Sequence, residues 1–145
     1  MTATIHASAV LVGARAILIR GPSAAGKSRL AWELIEASRN SAVRFARLVG
    51  DDRVHLQSAG GRLLVRPAEA LAGMIELRGV GILRRDHEPC AVVGLVVDLA
   101  AMDAERLPEG GQTILEGIAI PRLAVAPGIA ALPLILAVVT SATVS

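Results

Sequence analysis

Eight residues, Gly21-Pro22-Ser23-Ala24-Ala25-Gly26-Lys27-Ser28, carry the pattern of two glycines separated by four residues and followed by lysine and serine. Small residues let a chain wrap so that successive backbone N–H groups point at phosphate oxygens. A lysine reaches the outer phosphates, and the following hydroxyl ligates Mg²⁺. The motif needs a strand before it and a helix after it, and both are legible here. Aliphatic Ala16-Ile17-Leu18-Ile19 leads in, and Leu30, Leu34 and Ile35 follow at helical spacing with Glu33 and Glu36 between them. The helix start adds the positive end of its dipole at the same place. ATP with Mg²⁺ is the ligand this loop predicts.

Carboxylates come next. Asp51-Asp52 closes the apolar stretch Leu48-Val49-Gly50. Neighbouring residues leaving a strand point opposite ways, so one can face a metal as ligand while the other faces an acceptor as base. Glu76 stands within the apolar run Met74-Ile75-Glu76-Leu77-Arg78, where a charge needs a partner. A salt bridge to Arg78 or a contact with metal or phosphate would each serve. His6, His55 and His87 lack partners at metal-ligand spacing, and the single cysteine, Cys90, fits the role of a small buried hydrophobe and excludes an internal disulfide.

These groups need elements to position them. Val10–Ile19 reads as two strands turning at Gly13, with loop residues at Ser38–Ser41 after the first helix. Val54–Leu56 and Leu63–Val65 form a hairpin across Gly60-Gly61, and Pro67 opens a short helix over 68–72. Ile75–Leu83 gives a strand, a tight glycine turn and another strand edge. Ala91–Leu99 is the strongest β run, 107–112 reads as loop, and Ile114–Val125 as a strand pair around Pro121. Aliphatic runs of this kind suit strands covered on both faces by helices. The expectation is an α/β domain, one unit over residues 1–145.

Composition narrows the classes. Hydrophobic residues make up 53% and charged ones 19% of 145, which suits a packed core. Net charge is +2 and the only aromatics are Trp32 and Phe45, so stacking platforms and a basic stripe for nucleic acid are missing. The uncharged run Ile129–Val139, broken by Pro133, falls short of the about 20 residues that span a membrane and reads as a buried or interfacial helix. No secretory leader is visible, and a cytoplasmic location is expected.

With these residues in place, the chain resembles the catalytic domain of the HPr kinase/phosphorylase family, in its short proteobacterial form. His6 precedes the first strand, Gly21–Ser28 resembles the family's Gly-x-Ser-Gly-x-Gly-Lys-Ser, and Leu48-Val49-Gly50-Asp51-Asp52-Arg53-Val54 resembles its Leu-[Val/Ile]-Ala-Asp-Asp-x-Val. Ile75-Glu76-Leu77-Arg78-Gly79-Val80-Gly81-Ile82 resembles its Ile-Glu-[Ile/Leu]-Arg-Gly-[Leu/Val]-Gly-Ile signature, and the likeness runs to about Pro121. It implies a P-loop fold of the phosphoenolpyruvate carboxykinase type, assembled as a hexamer. It also implies ATP-dependent phosphorylation of a serine on the phosphocarrier protein HPr, with phosphorolytic removal in many members.

Carried over by position, the resemblance makes Asp51 the base and Lys27 the phosphate holder. His6 and Arg78 would lie near the transferred group, and Ser28, Asp52 and Glu76 around Mg²⁺. Pro22 and Ala24 replace the family's frequent Asp and Gly. Ala126 stands where the family has an arginine linked to the phosphorylase direction, so the kinase direction is the one expected. A small-molecule P-loop kinase and a nucleotide-sensing module without catalysis are the alternatives.

Overall fold

The computed structural model describes residues 4–40, 42–105 and 110–140. Eleven strands and two helices follow in chain order among them: β1 (Thr4–His6), β2 (Ser8–Val12), β3 (Arg15–Arg20), α1 (Lys27–Arg39), β4 (Ala46–Gly50), β5 (Arg53–Ala59) and β6 (Arg62–Pro67). A 3₁₀ turn at Glu69–Leu71 leads to β7 (Met74–Leu77), β8 (Gly81–Arg84), β9 (Ala91–Asp98), β10 (Gly111–Leu115), β11 (Ile118–Ala124) and α2 (Ala131–Thr140). The chain is a mixed α/β fold.

β9 is the hinge of the architecture. Its first two residues pair antiparallel with β6, through Leu64↔Val92 and Val65↔Ala91. Its remainder runs parallel to β3 on one edge and to β11 on the other. One limb therefore continues β3-β2-β4 and the other β6-β5-β1, with the β10–β11 hairpin attached at β11. Val92-Val93-Leu95-Val96-Val97 can serve this position because each face of the strand meets apolar neighbours. A register shift falls between Ala16 and Ile17 of β3, opposite Gly94. A Cβ at Gly94 would lie 2.7 Å from Arg15 Cβ, so only glycine fits the irregularity.

Side-chain alternation then sorts two cores. Ile17, Ile19, Leu95 and Val97 pack with Leu30 and Leu34 of α1 and Ile135 of α2. Ala16, Leu18 and Val96 face the other way, against Val54, Leu56, Leu63 and Val65. Both faces are covered, but only one by helices. The second cover is the β5–β6 limb folded over the sheet, because Gly60-Gly61 turns those strands back and β9 ties them in.

Other boundaries also differ from the sequence reading. α1 continues through Ser38 and Arg39, and Ser38 Oγ donates to the Ile35 carbonyl at 2.7 Å, so the serine is absorbed by the last turn. The 68–72 helix is the three-residue 3₁₀ turn. The last hairpin turns at Glu116-Gly117, both left-handed at φ 49° and 77°, while Pro121 lies inside β11, ahead of its ladder to β9. Leu107 and Pro108 of the expected loop lie outside the described residues; Gly111 and Gln112 belong to β10. α2 occupies the apolar tail and buries Ala131 and Ile135 while Leu134, Val138 and Val139 stay exposed. No helix among the described residues is long and apolar enough to cross a membrane.

A candidate phosphoryl-transfer site

The C-terminal ends of parallel strands are where open α/β sheets bind ligands, and β3 delivers the glycine-rich loop at that end. Ala25 N–H donates to the Pro22 carbonyl at 3.1 Å, closing a turn. Gly26 then takes a left-handed φ of 97° and α1 begins at Lys27 with no side-chain cap and no acidic residue in its first turn. The first four N–H groups of a helix have no partner within it. Unblocked here, they and the helix dipole favour an anion in the loop. Lys27 Nζ lies back over the loop, donating to the carbonyls of Gly21 at 2.8 Å and Pro22 at 3.1 Å.

β4 ends in the acidic pair. Asp51 is 3% exposed. Its oxygens accept from Ser8 Oγ at 2.6 Å, lie 2.8 and 2.9 Å from Ser28 Oγ, and accept the Glu76 N–H at 3.1 Å. β2, α1, β4 and β7 thus meet at one carboxylate. Asp52, by contrast, has a left-handed φ of 69° and an exposed side chain. Its carbonyl accepts from Ala7 N–H, and Arg53 N–H reaches back to the Asp51 carbonyl at 2.8 Å.

Loop, acidic pair and the β7–β8 hairpin enclose a cleft of about 980 Å³. Ser23, Ala24, Gly26, Lys27 and Ser28 line it, as do Gly21, His6, Asp51, Asp52, Glu76 and Arg78. Pro22 and Ala25 do not; Ala25 packs against the helix-side core. The Glu76 side chain is exposed rather than desolvated, and among the described residues no ion pair joins it to Arg78, which sits beyond the strand in the hairpin turn. β7 is half of a two-stranded ribbon with one face in water, which removes the cost that demanded a partner.

Sequence reasoning missed Ser8, Arg29 and Trp32 on this cleft. Arg29 and Trp32 are three apart on α1 and so share a face. Trp32 carries the Arg85 guanidinium 4.5 Å above its ring. Ser8 gave no signal, being a small residue between two alanines in a strand. Also unforeseen is the charged group beneath the loop. Asp98, at the end of β9, accepts from Arg20 Nε at 2.8 Å and NH2 at 2.9 Å and from Arg122 Nε at 2.5 Å, and Arg122 forks onto Asp103 at 2.7 and 3.0 Å. Burial pushes the Asp98 carboxyl up, but the hydrogen bonds and charges of Arg20 and Arg122 outweigh it and hold it below the usual carboxylate range. Hydrogen bonds from Arg122 likewise hold Asp103 low.

No group of three or more His, Cys, Asp and Glu converges as a metal cage among the described residues. The oxygen donors Ser28, Asp51, Asp52 and Glu76 at the loop are a sparse, hard set. Such a set fits Mg²⁺, which keeps waters and shares its shell with phosphates.

The family model for the HPr Serine kinase C-terminal domain matches residues 1–88, short of the Pro121 to which the motifs were followed. HPr kinase/phosphorylase of Clostridium beijerinckii is 40% identical over 79 residues, 54% of this chain and 24% of that protein. The protein of that name in Streptococcus thermophilus is 40% identical over 81 residues, 55% of this chain and 24% of its own length. The aligned stretch is thus about a quarter of the curated relatives' length. Among solved structures, the Hpr(Ser) kinase/phosphatase from Coxiella burnetii has the same fold. Its TM-score is 0.75 at 24% identity, over 95% of this chain and 88% of that one. The chain belongs to the HPr serine kinase C-terminal domain family.

Proposed function

We propose that this chain, acting as one domain over residues 1–145, is a protein serine kinase of the P-loop, phosphoenolpyruvate carboxykinase-like type. It transfers the γ-phosphoryl group of ATP to a serine of an HPr-type phosphocarrier protein. The names of its relatives support the substrate class. The observation that carries the reading is the contact between Ser28, at the head of α1, and Asp51, at the end of β4. It puts the second motif against the first, as phosphoryl transfer requires. In this reading the Gly21–Ser28 backbone and Lys27 hold the phosphates, and Asp51 and Asp52 supply one carboxylate to the metal side and one to the acceptor hydroxyl. His6 and Arg78 flank the transferred group, and Ser28, Asp52 and Glu76 are the residues that would hold Mg²⁺. The ion, when bound, offsets charge on the phosphates. The rest is positioning by the protein, which dominates in this chemistry.

A cytoplasmic location and homo-oligomeric assembly, a hexamer in the family, belong to the same proposal. The uncharged outer face of α2 supports the assembly. The kinase direction is the primary one, since Ala126 replaces the arginine tied to phosphorolysis. The test is transfer from γ-labelled ATP to purified HPr by wild type and Lys27→Ala. Label on HPr with wild type and none with the variant supports the kinase. ATP binding by wild type without transfer to HPr rejects the assignment and leaves a nucleotide sensor. Release of pyrophosphate on adding phosphate to labelled HPr would establish the reverse direction.

A further inference from the structure

We infer that Arg85 is a positioning residue for the transfer: seated on Trp32, its guanidinium sets the β7–β8 ribbon, and with it Glu76 and Arg78, against the nucleotide helix. The role rests on the kinase reading above and concerns the same site.

β7 and β8 form a two-stranded sheet of their own, from Met74↔Arg84 to Leu77↔Gly81, so the main sheet does not fix them. Their apolar anchors are Ile75, 1% exposed, and Leu83, which pack into the helix-side core. These two stand opposite each other on one rung of the ladder. Anchors on a single rung leave a ribbon free to rock about it, and its far end carries Glu76, Arg78 and Val80 on the cleft. The Glu76 N–H bond to Asp51 at 3.1 Å restrains that end. Restraint at the near end falls to the chain just after β8.

Arg85 supplies it. Its N–H donates to the Gly73 carbonyl at 2.8 Å and closes the base of the ribbon. Three residues on, the Glu88 N–H donates to the Leu48 carbonyl at 2.8 Å and pins the chain to β4. Between these two fixed points the Arg85 guanidinium lies 4.5 Å from the centre of the Trp32 ring, and NH1 donates to the Arg84 carbonyl at 2.7 Å. Trp32 follows Ser28 by four residues on α1, so the contact falls one turn along the same helix face. Among the described residues no carboxylate pairs with Arg85, and its Nε is buried with no hydrogen-bond partner. A buried donor left unbonded costs stability, and the cation over the indole face offsets part of that cost. What the arrangement gives in return is stiffness. The ring is itself wedged against the helix-side core, so the ribbon base is tied to α1 through two side chains that cannot yield.

The test compares Arg85→Gln, Arg85→Lys and Trp32→Leu with wild type, well below each melting temperature. Trp32 is the sole tryptophan and borders the cleft, so its fluorescence reports ATP binding in the Arg85 variants, and calorimetry does so for Trp32→Leu. Transfer of label to HPr gives kcat, and amide hydrogen exchange followed by NMR gives the mobility of the ribbon. Arg85→Gln and Trp32→Leu should bind ATP with Mg²⁺ as wild type does and lose roughly 10- to 100-fold in kcat, as misplaced groups do. Exchange at the Glu76 N–H should rise roughly tenfold while β9 stays protected. Arg85→Lys returns a cation to the ring and should recover part of both effects. The double variant should lose no more than either single one, because the two residues act through one contact. A lowered Tm with kcat unchanged overturns the inference, since the contact is then only structural. So does an ATP affinity that falls along with kcat, which places the effect on the loop. If Arg85→Gln fails to fold, Trp32→Leu carries the same comparison. If wild type binds ATP yet labels no carrier, the kinase reading falls. Exchange then decides alone, and unchanged protection at Glu76 overturns the role given to Arg85.

Discussion

Replacing Gly50 by alanine should unsettle both the fold and the nucleotide site. A Cβ at position 50 would lie 2.8 Å from Val54 Cγ1, 3.1 Å from Pro67 Cα and 3.4 Å from Pro67 Cβ. Neither neighbour can yield. Val54 is 0% exposed, and the Pro67 atom is backbone, locked opposite Val54 in the β5–β6 ladder. Forcing a methyl into a packed site costs about 1–3 kcal/mol. Alanine recovers roughly 0.5–1 kcal/mol of backbone entropy relative to glycine in a strand. At the middle of both ranges the net loss is about 1 kcal/mol, a fall in Tm of roughly 3–5 °C for a chain of this size. Because Asp51 is the next residue, the strain relaxes by moving it off Ser28, so Mg²⁺-dependent ATP binding should weaken as well. The assay is thermal unfolding by circular dichroism with a Trp32 titration beside it. Gly111→Ala is the control, since its Cβ would meet nothing closer than 3.6 Å. A Gly50→Ala protein that melts with wild type, or a Gly111→Ala protein that falls as far, would refute the packing argument. The alanine in the family's version of this motif has no room here.

Further outcomes can be measured on the same protein. Ile135→Ala, at a fully buried position on α2, should cost about 2–4 kcal/mol in denaturant unfolding, whereas Leu134→Ala on the half-open face should change little. Ala24, left-handed at φ 66°, should accept glycine with a gain of up to about 1 kcal/mol, and a drop in Tm would count against strain in the loop. Asp98, with its carboxyl held low, stabilises the fold above the pKa of the unfolded group, about 3.9, and that contribution is lost as pH falls through the lower folded value. Asp98→Asn should therefore lower stability by about 1–3 kcal/mol at pH 7 and flatten the acid limb of the stability curve. An unchanged acid limb would show that Asp98 does not link pH to folding.

What the sequence made legible was what is local. The loop, the helix after it, the Gly60-Gly61 hairpin and the β9 run each declare themselves within about ten residues, because spacing and turn chemistry act at that range. The gathering of Lys27, Ser28, Asp51, Asp52 and Glu76 on one cleft followed from strand ends meeting a glycine loop. The sense in which Asp51 and Asp52 face was not legible, because it depends on a left-handed backbone at Asp52 that aspartate adopts only with help. Ser8 was invisible because its partner lies 43 residues away. Arg20, Asp98 and Arg122 come from three strands that only the sheet order brings together. Pro121 misled as a turn signal, since β11 tolerates it ahead of the β9 ladder, while Glu116-Gly117 turned with less conspicuous chemistry.

β9 sets an order of events during synthesis. Residues 1–88, the stretch that matches the family, include the loop, both acidic motifs and the β7–β8 hairpin, yet they lack the strand that fills the gap between β3 and β6. Until β9 is made, those two strands present unpaired edges, which invite pairing with other chains. The loop also waits, because Arg20 is fastened through Leu99 N–H to the Arg20 carbonyl at 2.9 Å and through the Asp98 carboxylate. Nascent chains grow at about 5–20 residues per second, so the N-terminal limb spends seconds outside the ribosome as an incomplete sheet. The nucleotide pocket can therefore close only late, after the part of the chain that least resembles its relatives has arrived.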